Sequence, residues 1–257
     1  MKVTIIGSGN VATVMGKELK ESGHKVLQVY NHRLQHAQTL AAALEAEATD
    51  RLSLITPSAD LYLIAVTDDA VAEVAARLSV PGKTVVHTAG SISKNILENT
   101  GGKYGVAWPM KMVRKNMAHL APVTMVVDGD SPETVAELSA FASLFTNDVI
   151  VAGDEKRAKL HMLASFTLNF TNHLFHLAAD YCEKEQIDFS LFYPLIEASV
   201  QRLRHGHPKD LQAGPASRGD SKTIAKHLKL LEMHPQAAGI YRAMTESILS
   251  ISGNNNP

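Results

Sequence analysis

Near its start the chain reads Val3-Thr4-Ile5-Ile6-Gly7-Ser8-Gly9-Asn10-Val11-Ala12, an apolar run that leads into a Gly-x-Gly-x-x-Ala turn. This order predicts a strand, a tight turn and a helix. Gly7 permits the turn, Gly9 leaves room for a pyrophosphate to approach the backbone, and Ala12 suits the point where helix meets strand. Free N–H groups at a helix start bind anions. We therefore interpret this turn as dinucleotide-binding rather than purely structural, with the following contact residues: Gly7, Ser8, Gly9, Asn10, Val11 and Ala12.

The end of the second predicted strand, Lys25–Tyr30, bears on which dinucleotide is bound. In NAD-binding proteins an acidic residue near this position accepts a hydrogen bond from the ribose 2′-hydroxyl. This chain has Asn31, His32 and Arg33 there, with no carboxylate to repel a 2′-phosphate. Arginine binds phosphate through charge-assisted hydrogen bonds. We predict that Arg33, helped by Asn31 and His32, selects NADP; a solvated cation on a loop is the alternative interpretation of Arg33.

Composition and charge exclude several classes of protein. The formal net charge is -1 at pH 7 and the isoelectric point is about 6.9, whereas a nucleic-acid surface needs a concentration of basic residues. Cys182 is the single cysteine, so an intrachain disulfide is excluded. The sequence contains no run of about eighteen apolar residues, so it predicts no membrane span. The first residues resemble a strand rather than a signal peptide. We expect a cytoplasmic protein with no nucleic-acid or membrane partner.

Strands and helices alternate from residue 1 to residue 152, which is typical of a doubly wound parallel sheet. Such α/β sheets bind ligands outside the carboxyl ends of their strands. The predicted strands Leu61–Val66 and Thr84–His87 both end in loops of small and polar residues. We interpret residues 1–152 as an NADP-binding Rossmann domain in which the following loop residues also contact the cofactor: Val66, Thr67, Asp68, Thr88, Ala89 and Gly90.

Residues 153–257 have a different pattern. Apolar residues recur at helical spacing, and no further strand pattern is present. The first predicted helix is long, from about Glu155 to Lys184. The sequence therefore predicts an α/β domain over residues 1–152 followed by an all-α domain over residues 153–257.

Two motifs carry a resemblance to a known family. They are the run Gly214-Pro215-Ala216-Ser217-Arg218-Gly219-Asp220 and the loop Ala65-Val66-Thr67-Asp68-Asp69. The chain resembles Rossmann-like NADP oxidoreductases with a C-terminal domain of unknown function, within the superfamily of 6-phosphogluconate dehydrogenase and pyrroline-5-carboxylate reductase. The resemblance covers nearly the whole chain. It implies NADP as cofactor, an oxidoreductase activity and a homodimer through the helical domain, and it names no substrate.

In dehydrogenases of this superfamily, the first long helix of the second domain presents a lysine and an asparagine to the substrate. On the corresponding helix this chain has Lys159, His161, Ser165 and Asn169, with spacings that give overlapping faces. Reduction of a carbonyl or imine needs a proton donor near neutral pH, which favours a histidine. We rank His161 slightly above Lys159 as the catalytic acid; a packing role is the alternative for each.

Two other groups of residues have open interpretations. Arg218 could hold a substrate carboxylate or phosphate, or Arg218 and Asp220 could cap the next helix and anchor the loop. His173 and His176, and His205 and His207, are closely spaced. No acidic or thiolate cluster accompanies them, so we predict no metal site.

The leading functional hypothesis is an NADP-dependent oxidoreductase that transfers hydride between NADPH and a small carbonyl or imine bound between the two domains. The alternative is an NADP-binding sensor or scaffold without catalysis. A pyrroline-5-carboxylate reductase-like enzyme is the second enzymatic hypothesis, although the glycine- and threonine-rich signature typical of the end of that family's last domain is not evident in this sequence.

Overall fold

The structure is a computed structural model, and it describes residues 1–253. The strands in this range are β1 Lys2–Ile6, β2 Lys25–Tyr30, β3 Glu47–Thr49, β4 Leu61–Ile64, β5 Thr84–His87, β6 Lys103–Pro109, β7 Met125–Gly129 and β8 Val149–Val151. They form one sheet in the order β3-β2-β1-β4-β5-β6-β7-β8. The strand order reverses direction beside β1, as it does in doubly wound folds, so the predicted α/β class is confirmed.

Helices cover both faces of this sheet, and its strands are buried. The helices between the strands are α1 Asn10–Glu21, α2 Leu34–Leu44, α3 Asp68–Arg77 and α4 Pro132–Ala142. Because successive strand residues point to opposite faces, Ile5 packs in one apolar cluster and Ile6 in the other. Leu63 and Ile64 divide between the same two clusters. This two-sided burial is why the strands read as continuous apolar runs in the sequence.

The sheet is mixed rather than wholly parallel, which corrects one detail of the predicted architecture. β6 and β7 pair antiparallel, while β7 and β8 pair parallel. A parallel return needs a crossover, usually through a helix, and the 15 residues between Pro109 and Met125 contain no helix. Lys111 Nζ donates to the carbonyl oxygens of Leu120 and Pro122, which closes this segment into a compact loop.

Two strands have no signal in the sequence. β3 is only three residues long, and β6 begins with Lys103 and includes Gly105. A methyl group at Gly105 would lie 2.2 Å from the carbonyl oxygen of Asp128 on β7, so this strand requires a glycine at the close contact. Strand propensity therefore does not predict β6, because the contact with β7, and not the propensity, determines that residue 105 is glycine.

The chain divides into two compact units, Met1–Leu168 and the residues from Asn169 onward. The division lies beyond the predicted boundary at residue 152, because helix α5, Asp154–Ala164, belongs to the first unit and packs within it through the buried Arg157. A π-helical segment, Ser165–Phe170, interrupts the long helix that the sequence predicts. The second unit contains α6 Thr171–Lys184, α7 Tyr193–Arg202, α8 Ser221–Leu230 and α9 Pro235–Gly253.

Across residues 1–253 there is no helix with both the length and the apolar character needed to cross a bilayer.

Candidate functional site

The glycine-rich turn between β1 and α1 is shaped for the close approach of backbone and ligand. Gly7 has φ +122°, and a methyl group on it would lie 2.2 Å from the carbonyl oxygen of Ala65. A methyl group on Gly9 would meet no atom within 4 Å. α1 begins without a side-chain cap and without an acidic residue in its first turn. Its N-terminal N–H groups and positive dipole end therefore suit an anion beside Gly9.

A short hydrogen-bond chain joins this turn to the end of β2. Asn31 donates from Nδ2 to Ser8 Oγ at 2.8 Å, and its Oδ1 accepts the backbone N–H of Arg33 at 2.9 Å. Both ends of the Asn31 amide are thus used within the protein, and Asn31 orients the loop. The Arg33 side chain is exposed and, within residues 1–253, has no hydrogen-bond or ion-pair partner. Arg33 can therefore reach an anion at this edge.

A cleft of about 490 Å³ lies along the carboxyl ends of β1, β2, β4 and β5. Most of the predicted cofactor residues line it: Gly7, Ser8, Gly9, Asn10, Val11, Asn31, His32, Val66, Thr67, Asp68, Thr88 and Ala89. Ala12 is fully buried and packs α1 on the sheet, Arg33 lies outside the lining, and Gly90 contacts another part of the first unit. The topological rule for α/β sheets thus brings residues from four separate loops to one cleft.

Some of the cleft's lining residues are missing from the sequence-based prediction. They are Tyr30, Ala65, Ala70, Glu73, Val74 and Val113. Tyr30 and Ala65 end or follow strands, so the same topological rule could have found them. Glu73 and Val74 require the phase of α3 to be known. Val113 comes from the loop between β6 and β7 and has no local signal.

The loops after β4 and β5 are joined at the rim of this cleft. Ser91 donates a hydrogen bond to the Asp68 carboxylate at the start of α3. This contact commits the Asp68 side chain to a protein partner, although Asp68 still lines the cleft.

Next to the cleft, Gly90 forms a close contact with His161 and Trp108. A methyl group at Gly90 would lie 2.6 Å from His161 Cδ2 and 2.6 Å from Trp108 Cε2. The rings of His161 and Trp108 have centroids 5.4 Å apart and planes inclined at 57°. Only a glycine lets both rings pack on the loop that contributes Thr88 and Ala89 to the cleft. The structure thus brings the predicted acid His161 against a cleft-forming loop.

Beneath this loop lies a fully buried histidine, His87. Its Nδ1 accepts the N–H of Ala89 at 3.2 Å, so the ring proton is on Nε2, which faces the Ser93 carbonyl oxygen at 3.4 Å. Burial, together with the positive charge of Arg157, lowers the pKa of His87 to about 4. A neutral imidazole therefore supports both ends of the loop.

The other catalytic candidates lie elsewhere. Lys159 is exposed, and its ammonium group pairs with Glu155 at 2.5 Å. Ser165 begins the π-helical segment, and Asn169 is an exposed residue of the second unit. The overlapping faces expected for these residues assume a regular α-helix. The wider π-turns change the phase, so the spacing rule does not extend from His161 to Asn169.

The structure assigns Asp220 a capping role. Its carboxylate accepts the N–H of Thr223 at 3.0 Å and the hydroxyl of Thr223 at 2.7 Å, at the N-terminus of α8. These hydrogen bonds lower the pKa of Asp220. The interpretation of Asp220 as an N-cap is confirmed, while Arg218 is exposed beside it. In the described part of the chain, no group of three or more His, Cys, Asp or Glu residues is arranged to hold a metal ion.

The fold and the cleft define a class: a Rossmann-type dinucleotide-binding protein with a helical second unit. Residues 2–90 match the family model of NADP oxidoreductases described as coenzyme F420-dependent, and residues 123–248 match a domain of unknown function, DUF2520. A candidate NADP oxidoreductase from Bacteroides fragilis is 35% identical with a TM-score of 0.89, over 97% of this chain and 98% of that chain. The chain belongs to this family of NADP oxidoreductases with a DUF2520 domain.

More distant solved structures share the fold. An imine reductase from Myxococcus stipitatus, solved with NADP⁺, is 16% identical with a TM-score of 0.70, over 99% of this chain and 95% of that one. The 1-pyrroline-5-carboxylate reductase of Streptococcus pyogenes is 17% identical with a TM-score of 0.65, over 97% of this chain and 98% of that one. A comparison with curated proteins finds no match.

Proposed function

We propose that this protein is an NADPH-dependent reductase that transfers a hydride to a small carbonyl or imine compound, with His161 as the proton donor. The observation that carries the proposal is the contact of the His161 ring with Gly90. Gly90 belongs to the loop whose Thr88 and Ala89 line the dinucleotide cleft. His161 therefore lies next to the proposed cofactor cleft, which supports its role as the proton donor.

The residues of the cleft fit an NADP dinucleotide. The uncapped start of α1 and the open space beside Gly9 suit a pyrophosphate. The exposed guanidinium of Arg33 suits a 2′-phosphate, while Asn31 fixes the backbone of Arg33. The Myxococcus imine reductase, which has the same fold, was solved with NADP⁺. Membership of a family of NADP oxidoreductases supports the same cofactor for this chain.

NADPH, when bound, supplies a hydride from its nicotinamide ring. In the proposed reaction, a C–H bond forms at the carbon of the substrate's C=O or C=N group, and the electron pair of that double bond moves to the oxygen or nitrogen. His161 gives that atom a proton, since imidazole is the side chain best suited to donate near neutral pH. The buried Trp108 ring packs beside the half-buried His161 ring.

Calorimetric titration with NADPH and NADH tests the cofactor. We expect NADPH to bind more tightly than NADH, and Arg33→Ala to weaken NADPH binding by about 10- to 100-fold, since a hydrogen bond to a charged group contributes about 1.5–3 kcal/mol. NADH binding should be almost unchanged. His36→Ala, at an exposed position in the first turn of helix α2, which Arg33 precedes, is the control. Binding of neither nucleotide would refute the cofactor assignment.

Turnover tests the reaction itself. NADPH oxidation is followed at saturating cofactor with a panel of small aldehydes, ketones and cyclic imines. We expect His161→Ala to lower kcat by about 100-fold, within the range for loss of a general acid, with NADPH affinity retained. Tight NADPH binding without turnover on any compound would favour the sensor or scaffold instead.

A further inference from the structure

The buried side chain of Arg157 fastens helix α5 to the loop that follows β5. Arg157 is 1% exposed, and its Nη2 donates to the carbonyl oxygen of Ile92 at 2.6 Å and to the Asp154 carboxylate at 2.6 Å. Ile92 lies two residues beyond Gly90. One guanidinium therefore bridges the first turn of α5 and the loop that supports the candidate site.

Asp154, the first residue of α5, completes this connection. Its carboxylate accepts hydrogen bonds from the Ser93 hydroxyl and from the backbone N–H of Lys94 at 3.3 Å. Burial alone would raise the pKa of Asp154, but the hydrogen bonds from Ser93 and Arg157 outweigh it and lower the pKa. Two charged side chains at the start of α5 are thus hydrogen-bonded to polar groups at the end of the loop. We call Asp154 and Arg157 the α5 clamp.

The chemistry of Arg157 is poorly explained by stability alone. Its Nε and Nη1 have no hydrogen-bond partner in the described residues, and Nη1 lies 3.6 Å from the Asp128 carboxylate. A buried guanidinium with unsatisfied N–H groups costs free energy that an apolar side chain of similar size would avoid. The two short contacts to the loop and to α5 are what an apolar residue could not reproduce.

The α5 clamp has a direct geometric consequence for His161. Arg157 and His161 are four residues apart on α5, so their side chains lie on the same face of the helix, one turn apart. The first contacts Ile92 and the second contacts Gly90, in the same loop. Fixing the helix at Arg157 therefore fixes where the imidazole ring meets the loop.

We propose that Asp154 and Arg157 are positioning residues that hold the His161 ring against the loop after β5, an inference that rests on the reductase function for its effect on rate. Neither residue lines the dinucleotide cleft. Their loss should therefore affect proton donation more than cofactor binding.

Trp108 is the single tryptophan of the chain, it is buried, and it contacts both His161 and Gly90, so its fluorescence reports on this contact. We expect Asp154→Asn and Arg157→Lys in the full-length protein to raise the acrylamide quenching of Trp108 at least about twofold as the loop and α5 separate. Asp180→Asn, which breaks an i,i+4 pair with Lys184 on α6, is the matched control and should leave the quenching unchanged. Unchanged quenching in Asp154→Asn would overturn the proposal.

A double-mutant cycle distinguishes positioning from a general loss of stability. In the wild-type background, Asp154→Asn should lower kcat by about tenfold and change the NADPH Kd by less than about threefold. In the His161→Ala background, the same substitution should lower kcat by less than about twofold. Equal losses in both backgrounds would show that Asp154 does not act through His161. If the wild type reduces no substrate, the reductase proposal fails, and the Trp108 quenching still decides whether the clamp holds the ring.

Discussion

At the scale of single residues, the two glycines of the first turn have separable roles. Gly7→Ala should destabilise the protein by at least about 2 kcal/mol, because the new methyl group would overlap the Ala65 carbonyl and φ is +122°. Gly9→Ala should change the stability by less than about 1 kcal/mol, since its methyl group meets no protein atom, yet weaken NADPH binding at least about tenfold. Urea unfolding and calorimetry measure both; an unaffected NADPH affinity in Gly9→Ala would contradict the pyrophosphate placement.

The sequence predicts the residues of the dinucleotide cleft better than it predicts the contact of His161 with Gly90 and Trp108. The glycine turn and the strand ends have local signals, and the topological rule then places Thr67 and Thr88 at one cleft without a structure. The role of Asn31 could not be predicted, because an asparagine amide can equally donate a hydrogen bond to Ser8 or to a phosphate, and the sequence does not distinguish the two roles. Arg157 gave no signal either. Its significance depends on burial, which a charged residue in a polar segment does not reveal.

At the scale of secondary-structure elements, the support of the β5 loop by His87 gives a pH dependence. The unfolded chain binds a proton on this residue below about pH 6.5, whereas the folded chain does so only below about 4. The contribution of neutral His87 to the free energy of unfolding is therefore fully present above pH 6.5. It is lost as the pH falls from 6.5 to 4, by up to about 3 kcal/mol. Urea unfolding of wild type and His87→Gln at pH 7 and 4.5 tests this: the advantage of wild type should shrink at low pH, and parallel changes would refute it.

Element boundaries show where local pattern is overruled by packing. The apolar spacing predicts one helix over residues 155–184, and the structure has α5, a π-helical segment and α6 there. An apolar pattern at helical spacing cannot distinguish π from α turns, since the two differ by a fraction of a residue per turn. The consequence reaches the site: the π-helical segment lies between His161 and Asn169, so their spacing no longer places these two residues on one helical face. β6 was missed for a similar reason: a close contact with the Asp128 carbonyl requires the glycine at position 105, although glycine has a low strand propensity.

At the scale of the whole molecule, the helical unit leaves much apolar surface uncovered. Exposed large apolar side chains of this unit include Leu191, Leu195, Val200, Leu203, Leu230, Met233 and Met244. An apolar hollow of about 480 Å³, lined by Leu177, Tyr181, Ile240 and Met244 among others, lies in the same unit. Large exposed apolar patches on proteins are typical of interaction sites, and a homodimer is the commonest assembly that would bury such a patch.

We propose that two copies of the chain associate through this helical surface. Light scattering should give twice the monomer mass, with or without NADPH, and Leu191→Glu with Leu195→Glu should shift the protein to monomer, because a buried unpaired carboxylate opposes association. These two leucines are 70% and 68% exposed. Leu54→Glu, an exposed leucine of the first unit, is the control and should leave the dimer intact. A monodisperse monomer of the wild type would exclude the dimer, and retained NADPH binding by the double variant would show that the dinucleotide cleft of the first unit is complete within one copy.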